Sequence, residues 1–307
     1  MNSSATRRHL LGWLALAGLS ACQSPPQAPP VIAPQSPVPM VAAVPPKPAK
    51  PPRIGLALGG GAARGFAHIG VIQVLEESGI RPDLVVGTSA GSLVAALYAA
   101  GRTGAELARV ALAMDESAIT DWSFPGRGMI RGEALARYVR EQSGNKLIEQ
   151  MPLPLGIVAT DLDNGLPMLF QRGDVGMAVR ASSAVPAVFQ PVKIGTREYV
   201  DGGLVSPVPV RFARQMGAEL VIAVDISSPP DGNPTSDPFK MLLQTFAIMG
   251  KSINHFELKD ADLVLRPKLA GVSSADFSAR KRAIDSGREA ALAGLAALRL
   301  RLAAMTH

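Results

Sequence analysis

From about residue 53 onward, short unbroken apolar runs alternate with longer stretches in which apolar residues recur every three or four positions. A short apolar run bounded by turn formers reads as a buried strand, and the wider spacing reads as a helix packed along one face. The runs Arg53–Leu58, Pro82–Val86, Leu155–Asp161, Leu220–Val224 and Leu263–Leu265 are predicted strands, with another through Glu198–Asp201. Helices are predicted over 66–78, 92–100, 104–114, 132–143, 174–182 with Asp174 as its cap, 238–256, and a long Ala/Leu/Arg-rich stretch over 279–304. Strands that alternate with helices predict an α/β domain with a largely parallel central sheet. The first strand–helix–strand unit is short, so its two strands are expected to be parallel neighbours. Residues 115–128 read as a loop, whose Trp122 and Phe124, with Met129 and Ile130, form either an apolar rim or part of the core. The turn Asp161-Leu162-Asp163-Asn164-Gly165 leads into Pro167–Phe170, and its two aspartates suit turn chemistry better than a cation site.

The pattern fails before residue 53. Residues 1–21 read as a targeting segment: Arg7 and Arg8 precede an apolar stretch, Leu10–Leu19, too short to span a bilayer. The following Leu19-Ser20-Ala21-Cys22 resembles a bacterial lipobox, in which cleavage before the cysteine leaves Cys22 as a lipid-modified N terminus. The alternative is an ordinary secretory signal cut near Ala21. Gln23 follows the cysteine where an Asp would favour the inner membrane, so the resemblance implies the outer membrane of a Gram-negative cell. Residues 22–52 then form a proline-rich linker, extended and unable to close a core, ahead of a folded domain over 53–307.

Composition narrows the function classes. The formal net charge is +6. No dense Lys/Arg run interleaved with aromatics accompanies it, so the chain is not expected to bind nucleic acid. An anionic membrane surface is the better match. Cys22 is the single cysteine and the four histidines are scattered, so neither an internal disulfide nor a metal site is expected.

Two glycine-bearing turns carry the candidate chemistry. Gly87-Thr88-Ser89-Ala90-Gly91 stands between a predicted strand and a predicted helix. A strand that turns sharply into a helix needs small neighbours, which Gly87 and Gly91 supply, and the turn exposes the Ser89 hydroxyl at a helix N terminus. The competing reading is a tight turn with a capping serine. Gly59-Gly60-Gly61-Ala62-Ala63-Arg64-Gly65 follows the first strand. Strand, glycine loop and helix make an anion-binding arrangement. This loop lacks the Gly-Lys-Ser/Thr of a phosphate loop, and the second strand ends in Gly87-Thr88-Ser89 where a dinucleotide fold has an acidic residue, so an oxyanion hole from Gly60, Gly61 and Ala62 fits best. Asp201-Gly202-Gly203 ends a strand in the manner of a catalytic base, or of a simple turn.

Taken together, these motifs resemble the patatin-like phospholipase family. The glycine loop with Arg64 and Gly65, the Ser89 motif with Gly87 and Gly91, and Asp201-Gly202-Gly203 occur in the family's order. Ser182-Ser183-Ala184-Val185-Pro186 matches a further family segment. The resemblance implies a three-layer patatin-like α/β fold with a mostly parallel sheet flanked by helices. It implies a Ser–Asp dyad without histidine, Ser89 as nucleophile, Asp201 as base, and oxyanion N–H groups from Gly60, Gly61 and Ala62. The implied reaction is hydrolysis of carboxylic esters of acyl lipids through an acyl-enzyme, on a phospholipid or lysophospholipid, with no cofactor and no metal. Ala62 replaces a common glycine, a tolerable change provided its φ need not be positive. Two alternatives stay open: a Ser89–Asp201–His255 triad, against which His255 reads as a packed helix residue, and a non-catalytic lipid-anchored binding protein.

Overall fold

The computed structural model describes residues 50–122, 127–231, 235–272 and 276–306. Cys22, the signal-like segment and most of the proline-rich stretch lie outside them, as does Phe124. In chain order the elements are β1 (Ile54–Leu58), α1 (Phe66–Glu77), β2 (Leu84–Thr88), α2 (Ala90–Ala99), α3 (Gly104–Ala113), β3 (Gly128–Ile130), α4 (Glu133–Gln142), β4 (Leu155–Asp161), β5 (Pro167–Phe170) and α5 (Val175–Ser182). They continue as β6 (Ala187–Phe189), β7 (Val192–Ile194), β8 (Arg197–Asp201), α6 (Val210–Gln215), β9 (Leu220–Val224), α7 (Pro238–Glu257), β10 (Leu263–Leu265) and α8 (Arg280–Met305).

The main sheet has the order β10-β9-β1-β2-β4-β8-β7, with β5 also on β4. Its β10-β9-β1-β2-β4 half is parallel. Every residue of β1, β2, β4 and β9 is buried, which is why each reads as a continuous apolar run. The period-two alternation of side chains sorts them into two cores. Leu56, Leu58, Val85 and Ile222 pack toward α1, α2 and α8, whereas Ala57, Val86, Val221 and Ala223 pack toward α6. Helix, sheet and helix are thus three layers.

The helix α8 lies against α1 at backbone contact. A Cβ added to Gly287 would stand 1.9 Å from the Ala67 carbonyl oxygen, and one added to Gly70 would stand 1.9 Å from that of Ile284. Only glycine permits this approach.

The sheet's other end departs from the parallel scheme. β5, β7 and β8 are antiparallel to their partners. A separate pair, β3 with β6, takes in the end of the predicted 115–128 loop. Trp122 bridges to Ile130 and is exposed, so it belongs to the surface and not to the core. The Asp161–Gly165 segment is a hairpin turn: the Asp163 N–H donates to Asp161 Oδ1, and Arg197 pairs with Asp161.

Candidate active site

Ser89 sits where β2 becomes α2, with φ +53° and ψ −125°, a conformation few side chains tolerate. The glycines on either side make it possible. A Cβ on Gly87 would fall 2.4 Å from the Gly91 carbonyl oxygen, and one on Gly91 would fall 2.1 Å from that of Leu58. The turn is held from outside as well. The Ser89 N–H donates to Ser182 Oγ (2.8 Å), and that buried hydroxyl donates to the Val158 carbonyl (2.6 Å). The bond fixes the nucleophile candidate and removes its own N–H from any oxyanion hole.

Asp201 reaches the same place through strand register. On β4, Val158 pairs with Thr88 and the next residue, Ala159, pairs with Asp201. β2 runs parallel to β4 and β8 antiparallel, so their carboxyl ends meet. Gly202 confirms the closeness: its Cβ would lie 2.2 Å from the Val158 carbonyl oxygen and 3.2 Å from Thr88 Cγ2. The Asp201 N–H donates to the Ala184 carbonyl, and its carbonyl accepts from Thr160 Oγ1. The Ser182–Ala184 turn therefore holds both Ser89 and Asp201 by the backbone.

The Asp201 carboxyl is buried. Oδ1 accepts from the Gly203 N–H at 2.6 Å, while Oδ2 has no fixed partner. Burial pushes its pKa up to about 6, against the Gly203 N–H and the nearby Ser89 hydroxyl, which favour the charged form. The hydroxyl is thus close enough to be felt, although no closed Ser89–Asp201 bond is present. An ionised but poorly stabilised carboxylate beside a serine is chemically a proton acceptor.

The glycine loop runs alongside. A Cβ on Gly60 would approach Ser89 Cβ to 3.1 Å, so glycine keeps this wall open. The loop corrects one expectation: the Gly60 N–H donates to the Pro207 carbonyl at 2.9 Å and is not free for an oxyanion. The N–H groups of Gly61 and Ala62 have no acceptor among the described residues. Ala62 supplies a second correction. Its φ is +50°, so the condition for an unstrained alanine is not met.

Below the loop, Arg64 is buried and its Nη1 donates to Ser228 Oγ at 2.5 Å. Burial pulls its pKa down, and Asp225 pushes the other way. Gly65 gives way to Ala90, whose Cβ would lie 2.8 Å from a Cβ there. His68 is wholly buried, bonded through Nε2 to the Gly59 carbonyl at 2.8 Å, and burial lowers its pKa to about 4. It is a neutral strut for the loop. His255 is exposed on α7 with its ring against Phe256, not packed into the core, and no hydrogen bond links it or His68 to Ser89 or Asp201. Among the described residues no cluster of three His, Cys, Asp or Glu side chains is placed to hold a metal ion.

The model of the family described as patatin-like phospholipase matches residues 56–214, which hold the glycine loop, Ser89 and Asp201. The chain belongs to the patatin-like phospholipase family. An uncharacterized NTE family protein of Mycobacterium tuberculosis is 41% identical to this patatin-like chain over 59% of its length, and another is 30% identical over 80%. The chain spans about half the length of these relatives (51% and 46%). Patatin-like phospholipase domain-containing protein 6 of Mus musculus is 34% identical over 72% of the chain, which covers 16% of that protein. VipD of Legionella pneumophila, 14% identical with a TM-score of 0.54 over 80% of the chain and 67% of VipD, shares the fold.

Sequence reasoning missed Ser182 as a site residue, although its segment was noted. It missed Pro207 as well, since only the folded backbone reveals a carbonyl facing Gly60.

Proposed function

We propose that this patatin-like chain is a serine esterase that cleaves carboxylic esters of acyl lipids, with phospholipid or lysophospholipid as the substrate class, through a Ser89–Asp201 dyad. The observation that carries the reading is the β4 register, which brings a buried carboxylate with an unpartnered oxygen beside a strained, partly exposed serine. Asp201 Oδ2 accepts the Ser89 proton as Oγ bonds to the ester carbonyl carbon. The N–H groups of Gly61 and Ala62 hold the oxygen that becomes negative; one such donor is typically worth ~10²–10³ in rate. The carbonyl re-forms, the alcohol leaves with the proton from Asp201, and the acyl group remains on Ser89. Water, deprotonated by Asp201, then repeats the sequence and frees the fatty acid. No step calls for a cofactor.

Family membership supports the dyad over a triad, as does the finding that among the described residues no histidine is hydrogen-bonded to Asp201. We also propose, from the Leu19-Ser20-Ala21-Cys22 motif, that Cys22 is acylated and anchors the protein to the outer membrane; a Cys22→Ser chain that still takes up radiolabelled fatty acid overturns this. The esterase test is covalent labelling with a serine-reactive fluorophosphonate, alongside turnover of phospholipid and lysophospholipid. Wild type should label, and Ser89→Ala and Asp201→Asn should not. A folded Ser89→Ala protein with full turnover refutes the reading.

A further inference from the structure

Helix α7 is fastened to the domain largely by hydrogen bonds: Gln244 Nε2 donates to the Pro230 carbonyl, Asn254 Nδ2 to Ser227 Oγ, and Glu257 accepts from Ser206 Oγ. Asn254 and Glu257 are its buried residues, and Leu242, Phe246 and Ile253 are half-buried. Its exposed side carries large apolar residues among polar ones. Met241, Ile248, Met249 and Phe256, at spacings of seven, eight and fifteen from the first, form one stripe, and Phe256 is 65% exposed. Phe239 and Leu243 are exposed in the first turns too. A large apolar stripe on a helix fastened by hydrogen bonds marks a contact surface.

Two observations indicate what covers it. The first is charge. Lys240 and Lys251 flank the stripe but pair with Asp237 and Asp231, so the helix itself is nearly balanced. Past its end, Lys259 lies over the Phe256 ring at 5.0 Å and lines a basic concavity with Arg211, Arg214 and Arg301; Arg211 pairs with Glu257 and Arg214 with Asp262, so the excess is carried by Lys259 and Arg301 against Asp260. None of the residues around Ser89 lines this concavity. An apolar stripe running into a basic patch complements an anionic bilayer, acyl region against stripe and headgroups against cations. The second is continuity with the candidate active site. Ser206, held by Glu257, offers its carbonyl to the Thr88 hydroxyl next to Ser89. Gly250 approaches the ring of Pro207, whose carbonyl binds Gly60.

We infer that the outer face of α7, with the basic concavity beyond it, is the surface that seats this domain on an anionic lipid bilayer. The inference rests on the esterase reading and specifies the form of its substrate, lipid within a membrane plane.

The single cysteine permits a clean test. In a full chain carrying Cys22→Ser, an environment-sensitive fluorophore is attached at Ile248→Cys or, as a control on α8 half a turn round the helix from Arg301, at the exposed Leu292→Cys. With vesicles of phosphatidylcholine and phosphatidylglycerol at 3:1, emission at 248 should shift to the blue and emission at 292 should not. Pure phosphatidylcholine should give a smaller shift, as should Lys259→Glu with Arg301→Glu. In an otherwise unmodified chain, Ile248→Ser with Met249→Ser should lower hydrolysis of vesicle lipid at least tenfold and leave turnover of a soluble short-chain ester unchanged. No shift at 248, or an equal shift at 292, overturns the inference. So does a blue emission at 248 without vesicles, which signals self-association if it grows with protein concentration and cover by the chain's own N-terminal segment if it does not. Soluble-ester turnover without insertion removes the docking surface alone, whereas insertion without any turnover removes the esterase reading alone.

Discussion

Replacing Asp201 with asparagine should inactivate the protein and stabilise it. The carboxyl is buried, and its pKa stands at about 6 against an ordinary 3.8. A raised carboxyl pKa means that folding disfavours the charged form. Below about pH 4 both folded and unfolded chains carry the proton and there is no penalty. As pH rises through 6 the folded chain must ionise a group in a dry place, and the penalty becomes complete. About two pKa units correspond to about 3 kcal/mol. Asparagine keeps an oxygen for the Gly203 N–H and never carries the charge. At pH 8 Asp201→Asn should therefore be about 2–3 kcal/mol more stable than wild type, or roughly 5–10 °C in Tm for a domain of this size. The gain should disappear by pH 4. Guanidinium unfolding of both proteins at pH 8, 6 and 4 measures it. Ser89→Ala should not share the gain, because it removes a hydroxyl that favours the charged carboxylate. A stability difference that does not change with pH, or an asparagine variant less stable at pH 8, refutes the reasoning.

The same pKa requires kcat/KM for a soluble ester to fall about tenfold per pH unit below about pH 6; a flat profile from pH 7 to 5 would exclude Asp201 as the base. Ala62→Gly should relieve the positive φ and raise stability by roughly 0.5–1 kcal/mol, read from thermal unfolding, with activity retained. Ser182→Ala strands the Ser89 N–H and the Val158 carbonyl, so stability should drop by about 1–3 kcal/mol and single-turnover acylation should slow at least tenfold. Gly287→Ala drives a methyl into the Ala67 carbonyl and should lose about 3 kcal/mol or more, whereas Gly250→Ala, with its nearest neighbour at 3.7 Å, should be neutral or stabilising by urea titration.

What was legible in the sequence follows from how local its cause is. β1, β2, β4 and β9 are buried on both faces, and a strand so placed must be apolar throughout, so the runs declared themselves. The Ser89 turn was equally plain, because Gly87 is required by the Gly91 carbonyl four residues on, although Gly91 itself answers to Leu58 on the neighbouring strand. β3, β6 and β7 were not visible: each is three residues long and exists only through a partner elsewhere. The Gly60 N–H looked free because its acceptor, Pro207, is remote in sequence and offers only a backbone carbonyl. Ala62 looked tolerable because φ has no signature in the side chain. In α7 the three-to-four periodicity identified a helix, but periodicity does not say which face turns inward, and here the hydrogen-bonding face does.

The meeting of β2 and β8 on β4 separates two kinds of distance. Ser89 and Asp201 are 112 positions apart (201 − 89), yet their relation is set by a single peptide unit between Val158 and Ala159. The long excursion between them, through α3, β3 and α4, can lengthen, shorten or change its surface without disturbing the pair. One residue inserted within β4 would shift everything beyond it by about 3.3 Å and turn it to the opposite face. Tolerance of insertion should thus be broad across the excursion before β4 and absent over β4, the Ser182–Ala184 turn and β8, so that new specificities can be built into the excursion while the Ser89–Asp201 pair stays in place.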